Sequence, residues 1–251
     1  MTSSIEQLRR AAEDGSGDAQ YNYAATHYND SEVVLDLGEA ARWFRRAAEN
    51  GHLRGACMLA ELLRRGNDLP KDTVEAARWY RLAAEQGDTS AALNLGLMCM
   101  FGERVEKDVD EATRWFRGAA ELGDKAAQNN LAIMHTTGTG CPQDDTEAAR
   151  WFRCAAGQGH PEAAFSLGEL LLGGAAEDFG EAASWFRIAA EQDDDAETRV
   201  RALFVLAQMH HVGKVLPQDQ SKALRLAGLA ADEGNTKAQQ FVERWASEFR
   251  S

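Results

Sequence analysis

The feature that most constrains this chain is a thirteen-residue phrase that recurs along its whole length. At residues 39–51 the phrase reads Glu-Ala-Ala-Arg-Trp-Phe-Arg-Arg-Ala-Ala-Glu-Asn-Gly. The first five copies follow one another at steps of 36 residues, and the phrases start at residues 3, 39, 75, 111, 147, 181 and 222. A fixed period of this length indicates a repeat protein, in which each unit packs only against its neighbours.

Each phrase predicts an amphipathic helix, which we call helix B. Its apolar residues recur at helical spacing, as at Ala76, Tyr80 and Ala83. Asp72 precedes Glu75 by three residues and so predicts a capping box, in which the aspartate accepts from a first-turn N–H and the glutamate reaches back to the N–H of the aspartate. The same pair recurs as Asp36/Glu39, Asp108/Glu111, Asp144/Glu147 and Asp178/Glu181. The glycine that closes a phrase, such as Gly87, is suited to a left-handed helix stop.

A second periodic segment, helix A, lies between the phrases, and its clearest copy is residues 91–98. One register of helix A always carries a small residue: Gly96, Ala132, Gly168 and Ala207. Small residues there allow two helices to approach closely, and the tryptophans of helix B are expected to fill the space beside them.

These residues resemble the Sel-one-like repeat family, which is similar to tetratricopeptide repeats but slightly longer. The resemblance covers nearly the whole chain, from about residue 4 to residue 249. It implies an all-α, right-handed α-solenoid of about six 36-residue helix-turn-helix repeats, in a single domain over 1–251 with a terminal capping helix at 235–250. It also implies an adaptor that holds protein partners on a concave surface.

The chain departs from the family pattern in four places. The first loop, 29–35, lacks the usual glycine, and Leu226 replaces the tryptophan in the last helix B. The last two phrase steps are 34 and 41 residues, which indicates a shortened loop near 174–178 and extra residues around 193–195.

Charge restricts the class of partner. The chain has 40 acidic and 27 basic residues, a formal net charge of -13. This argues against a nucleic acid or an anionic membrane as partner, because both need clustered positive charge. A basic protein partner fits this charge, and so does the plain role of keeping the protein soluble. The run Asp193-Asp194-Asp195 is either a contact for a basic partner or a solvated loop.

Other signals bear on location. No apolar stretch reaches the ~20 residues that a membrane-spanning helix needs. The N-terminal residues lack the basic and apolar regions of a secretory signal, so a cytoplasmic protein is expected. Reduced thiols are expected there for all four cysteines: Cys57, Cys99, Cys141 and Cys154.

No enzymatic activity, cofactor or metal is expected. Some Sel-one-like proteins have been credited with penicillin binding or β-lactamase activity, but the sequence lacks Ser-x-x-Lys, Ser-Asp-Asn and Lys-Thr-Gly elements. One register of helix A reads His27, Leu63, Cys99, His135, Leu171 and His210. Packing is the preferred interpretation, because neighbouring helices lie ~8–10 Å apart and zinc ligands must converge on one point.

Partner-binding residues are expected on the face of helix A that points away from helix B. If Leu95 and Cys99 face helix B, then Leu93 and Leu97 face away from it. The expected binding residues are Tyr21, Leu93, Leu97, Met100, Phe101, Ile133, Phe165 and Leu172. They suggest a groove for an apolar or amphipathic segment, while packing between repeats is the competing explanation for Leu93 and Leu97.

The leading functional prediction is a non-enzymatic scaffold or adaptor that binds a protein or peptide, with a monomer favoured. The alternative is a dedicated inhibitor, of the immunity or antitoxin kind, of a basic partner protein. Fold alone does not rank the two, because repeat scaffolds of this type serve many functions.

Overall fold

The computed structural model describes residues 2–29, 36–66, 69–103, 107–173, 179–192 and 195–248, and the regular secondary structure in these segments is entirely helical. The seven copies of helix B are α1 (Thr2–Glu13), α3 (Leu37–Glu49), α5 (Thr73–Glu85), α7 (Val109–Glu121), α9 (Asp145–Gly157), α11 (Phe179–Ala190) and α13 (Gln220–Asp232). The seven copies of helix A are α2 (Gly17–Asn29), α4 (Leu53–Arg65), α6 (Thr89–Phe101), α8 (Lys125–Thr137), α10 (Pro161–Leu172), α12 (Ala196–Val212) and α14 (Thr236–Glu248). The predicted all-α solenoid of helical hairpins is confirmed.

The chain divides into two compact units. Unit 1 comprises residues 1–127 and 139–141, and unit 2 comprises 128–138 and 142–251. From α1 to α7 in unit 1, and from α9 to α14 in unit 2, each helix packs on the one before it and the one after it. A single domain over the whole chain stays a prediction.

Half of the predicted capping box is confirmed and half is wrong. Asp72 accepts a hydrogen bond from the N–H of Glu75 at 2.8 Å, and Asp36, Asp108 and Asp144 cap their helices in the same way. The N–H of Asp72, however, donates to the carbonyl of Leu63 at 3.0 Å and not to Glu75. The equivalent N–H of Asp108 donates to the carbonyl of Cys99. The backbone carbonyls of Leu63 and Cys99, which share one register of helix A, therefore position the start of the next helix B. Asp178 lies outside the described residues.

The glutamates of three phrases join neighbouring repeats. Glu111 accepts from the indole N–H of Trp115 at 3.1 Å and from Arg81 of the preceding helix B at 2.7 Å. Glu75 accepts in the same way from Trp79 and Arg45, and Glu181 from Trp185 and Arg153. The arginine–glutamate contacts span 28 or 30 residues of sequence, so a local capping rule does not reveal them.

The core is filled by the aromatic residue that follows each tryptophan. Phe44, Tyr80, Phe116, Phe152 and Phe186 are among the largest fully buried side chains, whereas three of the five tryptophans are only half-buried. A Cβ added at Gly96 would lie 2.6 Å from Cε1 of Phe116, and one at Gly168 would lie 2.8 Å from Cζ of Phe186. The small register of helix A is thus confirmed, but its partner is this aromatic ring and not the tryptophan.

The 41-residue spacing between the last two phrases is accommodated by an additional helical turn. Helix α12 has 17 residues where most other copies of helix A have 13. Asp195 caps the added turn by accepting from the N–H of Thr198 at 3.0 Å and from its hydroxyl at 2.6 Å. Asp195 is therefore a structural cap, while Asp193 and Asp194 lie outside the described residues, as does the shortened loop at 174–178.

Candidate functional site

In unit 1, helix α6 presents an uncharged apolar row. Ala92, Leu95, Gly96 and Cys99 are buried, so the predicted face of Leu93, Leu97 and Met100 is the half-buried side of the helix. Phe101 ends the row and is 67% exposed. Since α6 carries no acidic or basic residue, its side chains offer a partner no ion pair.

The adjacent helix α4 carries an ion network where α6 carries Leu97. Glu61 accepts hydrogen bonds from Arg64, Arg65 and the hydroxyl of Tyr80. Burial alone would raise the pKa of Glu61, but these three donors outweigh it and lower the pKa below its ordinary value. Burial, followed by the negative charge of Glu61, raises the pKa of Tyr80. The network lies within unit 1. Of the two helices compared, α4 is therefore charged on this face and α6 is apolar.

Tyr21 is part of a ring stack at the start of unit 1. Its ring stacks on His52 with centroids 4.6 Å apart and lies 5.6 Å from Phe44. The guanidinium of Arg54 lies 5.9 Å from the same ring. Tyr21 is half-buried by these neighbours, so only part of its ring is available to a partner.

In unit 2, the three predicted residues differ in exposure. Ile133 on α8 is exposed, and Leu172 at the end of α10 is half-buried. Phe165 is only 2% exposed, although an open position was expected. The cause is Arg201 of α12, whose guanidinium lies 4.1 Å above the ring, while Phe186 packs edge-on at 5.2 Å.

A groove of about 780 Å³ opens beside Phe165, between α10, α12 and the start of α14. We call it the α12 groove. Its apolar wall consists of Phe165, Val200, Phe204 and Val205. Its polar rim consists of Glu169, Glu197, Arg201, Gln208, Glu233, Asn235, Thr236 and Lys237. The added turn of α12 contributes Ala196 and Glu197 to the lining, and Arg199 of the same turn pairs with Glu233 at 2.6 Å.

A second cavity of about 380 Å³ continues the α12 groove towards the end of α12. Val205 and Gln208 line both cavities. The second one is lined mainly by apolar side chains: Leu172, Phe179, Met209, Val212 and Val215. Val212 is 55% exposed. From Val200 to Val212 the strip spans about 18 Å at the helical rise of 1.5 Å per residue, which is room for about three turns of a bound helix.

Most residues of this strip were missed by sequence reasoning. Only Phe165 and Leu172 were expected there, whereas Val205, Met209 and Val212 were not. The register of Val205 holds a polar residue in four other repeats, Asn22, Asn94, Asn130 and Ser166, and holds Met58 in a fifth. An apolar residue there is thus a weak signal, because it also occurs where the repeat spacing is regular.

The described helices carry no net negative charge. Of the 40 acidic and 27 basic residues of the sequence, these helices contain 20 acidic and 22 basic ones, and the remaining sequence contains 20 acidic and 5 basic ones. Eight of these acidic residues are helix caps: Asp36, Asp72, Asp88, Asp108, Asp124, Asp144, Asp195 and Asp219. A carboxylate at a helix N-terminus is stabilising, so much of the charge has a structural role.

The cysteines are free thiols of unequal accessibility. Burial, with the negative charge of Asp88, raises the pKa of Cys57 to about 12. Burial likewise raises the pKa of Cys99 to about 11. Such thiols stay protonated at neutral pH and are poor nucleophiles. In the described part of the chain, His, Cys, Asp and Glu do not form a group of three that could hold a metal ion, and the described helices are each too short or too polar to cross a membrane.

Comparison with known proteins identifies the repeats. The Sel1 repeat family matches residues 17–52, 53–88, 89–124, 125–160, 161–194 and 200–235. The five unmatched residues between the last two segments are Asp195–Arg199, the cap and added turn of α12. No curated protein matches the chain.

Two crystal structures are similar to the chain. The first is a protective antigen of uropathogenic Escherichia coli strains that displays an SLR fold, with 32% identity and a TM-score of 0.88. The match covers 95% of this chain but 50% of that one, so the chain spans about half of that protein. The second is a Sel1 repeat protein from Oxalobacter formigenes, with 25% identity, a TM-score of 0.72, and 92% and 99% of the two chains covered. The chain therefore belongs to the Sel1 repeat family.

Proposed function

We propose that this protein is a non-enzymatic interaction scaffold that holds an apolar segment of a partner protein in the α12 groove. Sel1 repeat proteins are generally protein-interaction scaffolds, which supports the coarse assignment. The single observation that carries the finer one is the apolar lining of the α12 groove and of the adjoining cavity beside a polar rim, where Val205 and Leu172 are half-buried and Val212 is exposed. An amphipathic helix laid in such a groove buries its apolar face and leaves its polar face in water.

The apolar row of α6 is a second proposed contact. Leu93, Leu97, Met100 and Phe101 offer one uncharged side of a helix, and Phe101 is the most accessible of them. Tyr21 and Ile133 remain predicted contacts of smaller extent. Aromatic and methionine side chains are the types enriched at protein interfaces, which agrees with this row.

The charge of the chain does not favour a basic partner over others. Much of the acidic excess caps helices, and the α12 groove has both signs on its rim, with Arg201 and Lys237 as well as Glu169 and Glu197. A dedicated inhibitor of a basic protein stays the alternative function. It differs from a scaffold with an apolar groove in its response to salt, because screening weakens exposed ionic contacts and leaves apolar burial intact.

The test compares captured proteins across matched variants of the tagged chain. Val205→Glu/Val212→Glu places two charges in the α12 groove, and Leu229→Glu places one on α13, where Leu229 is exposed away from the groove. The proposal is supported if the parent and Leu229→Glu retain a protein that the groove variant loses. Circular dichroism must show that all three chains are folded. Equal capture by all three would refute the groove assignment.

Salt separates the two functions in the same experiment. Capture is repeated at low salt and at about 0.5 M salt, where the screening length falls to a few ångström. A partner that survives high salt fits the apolar groove. A single basic partner released by salt, and insensitive to the groove variant, would point to the inhibitor.

A further inference from the structure

Helix α4 begins at an unusual cap. Nδ1 of His52 accepts a hydrogen bond from the N–H of Gly55 at 2.9 Å. Asp88 occupies the same register one repeat later and caps α6 through the N–H of Ala91 at 2.8 Å. Asp124 and Asn235 fill this register in two further repeats, and His160 fills it at the start of α10. Histidine is thus a replacement for the short polar caps used elsewhere in the chain.

The backbone fixes the imidazole of His52 in this position. The N–H of His52 donates to the carbonyl of Ala47 at 2.9 Å, and its carbonyl accepts from Ala56 at 3.1 Å. The ring stacks on Tyr21 of α2 with an interplanar angle of 22°. Gly17 of α2 lies so close that a Cβ there would be 3.3 Å from Cβ of His52. The ring therefore has little room to leave the N–H of Gly55.

This cap requires a neutral imidazole. Only an unprotonated nitrogen accepts a hydrogen bond, so the cap places the ring proton on Nε2, which lies 3.4 Å from the Asp18 carboxylate. Protonation would add a hydrogen to Nδ1 and set two N–H donors against each other at 2.9 Å. Histidine is the side chain that ordinarily changes charge between pH 5 and 8. We propose that His52 is a pH-sensitive N-cap, which holds the first turn of α4 when neutral and releases it when protonated.

The charged groups around His52 act in opposite directions. Asp18 of α2 favours the imidazolium, but its side chain is 86% exposed, so water screens the attraction. Arg54 of α4 lies with its guanidinium 5.9 Å from the centroid of the Tyr21 ring and opposes a second positive charge. The helix N-terminus itself is a positive end and also opposes it. From α3, the carbonyl of Ala47 accepts a hydrogen bond from the backbone N–H of His52.

Amide exchange in the full chain tests the proposal. We expect protection of the Gly55 N–H, measured by NMR and corrected for intrinsic exchange, to fall about fivefold between pH 7.5 and pH 5.5, the size of a lost N-cap. The N–H of Ala91, capped by Asp88, is the internal control and should keep its protection. In His52→Asp, which installs the cap of α6, Gly55 should keep its protection as well.

Three results would overturn this inference: constant protection of Gly55 in the parent, a parallel loss at Ala91, or the same loss in His52→Asp. If His52→Asp does not fold, His52→Asn serves instead, because Asn235 fills this register at α14. The expectation for His52→Asn is the same: protection of Gly55 that does not change with pH. Since these readouts need no partner, they are independent of the proposed scaffold function.

Discussion

The hydroxyl of Tyr80 on α5 donates a 2.8 Å hydrogen bond to the Glu61 carboxylate on α4. Phenylalanine takes the place of Tyr80 in four other copies of helix B, as Phe44, Phe116, Phe152 and Phe186. Glu61 shares its register with Glu169, and Leu97 takes its place on α6. The next repeat has an apolar pair, Leu97 and Phe116, at the positions that correspond to Glu61 and Tyr80.

Tyr80→Phe should lower the free energy of unfolding by about 1–2 kcal/mol, because it removes a buried hydrogen bond to a charged group. Urea unfolding of the parent and the variant measures this loss. The matched control is Glu61→Leu/Tyr80→Phe, which converts the pair to the residues of the next repeat and should recover most of the stability. An additive loss in the double variant would show that the two residues are not coupled.

Gly96→Ala should destabilise the protein, whereas Gly118→Ala should stabilise it. The Cβ at position 96 would meet the Phe116 ring at 2.6 Å, and the expected cost is about 1–3 kcal/mol. A Cβ at position 118 on α7 has no neighbour within 4 Å, so alanine should add about 0.5–1 kcal/mol of helix propensity. Thermal and urea unfolding of both variants give the two signs, and stabilisation by Gly96→Ala would contradict the packing described here.

Acid should weaken the contacts between repeats. Arg45, through its hydrogen bonds to Glu75, is the largest cause of the lowered pKa of Glu75, and burial opposes it. Because the folded pKa lies below the unfolded one, this stabilisation is complete above the ordinary glutamate pKa of about 4.3 and is lost as pH falls below it. Urea midpoints at pH 7, 5, 4 and 3 should therefore fall steeply below pH 5. Glu75→Gln should show a shallower fall, and an identical fall would contradict the assignment.

Thiol labelling should separate Cys154 from Cys57 and Cys99. Cys154 is exposed, whereas partial or full burial raises the pKa of Cys57 and of Cys99 far above neutral pH. A disulfide reagent at pH 8 should modify Cys154 rapidly and Cys57 and Cys99 only after urea is added. Mass spectrometry of the labelled peptides identifies the sites. Cys154→Ser should remove the rapid phase, and rapid labelling of Cys99 in the folded protein would contradict its burial.

The repeating part of the fold was predictable because its causes are local. The aspartate caps and the closing glycines define helix ends within a few residues, and Gly51, Gly87, Gly123 and Gly159 have positive φ values of 81°, 90°, 95° and 74°. These positions need a left-handed conformation that glycine adopts without a steric cost. Helix bounds followed from the same pattern.

Contacts between distant residues were not predictable from one sequence. The capping rule assigned Glu111 to the N–H of Asp108, but the structure pairs Glu111 with Arg81, 30 residues away. Phe165 has the residue type of a binding surface, yet Arg201 from the next helix A covers it. The secondary structure of the insertion before α12 was also not predictable, because five extra residues can form a loop as readily as a helical turn.

The added turn of α12 has a consequence for stoichiometry. A stack of identical repeats offers identical gaps, so an elongated ligand could slide from one gap to the next and several could bind at once. The turn from Ala196 to Arg199 breaks this translational equivalence, and its residues Ala196 and Glu197 line one groove only. We therefore expect one bound segment per chain at this groove.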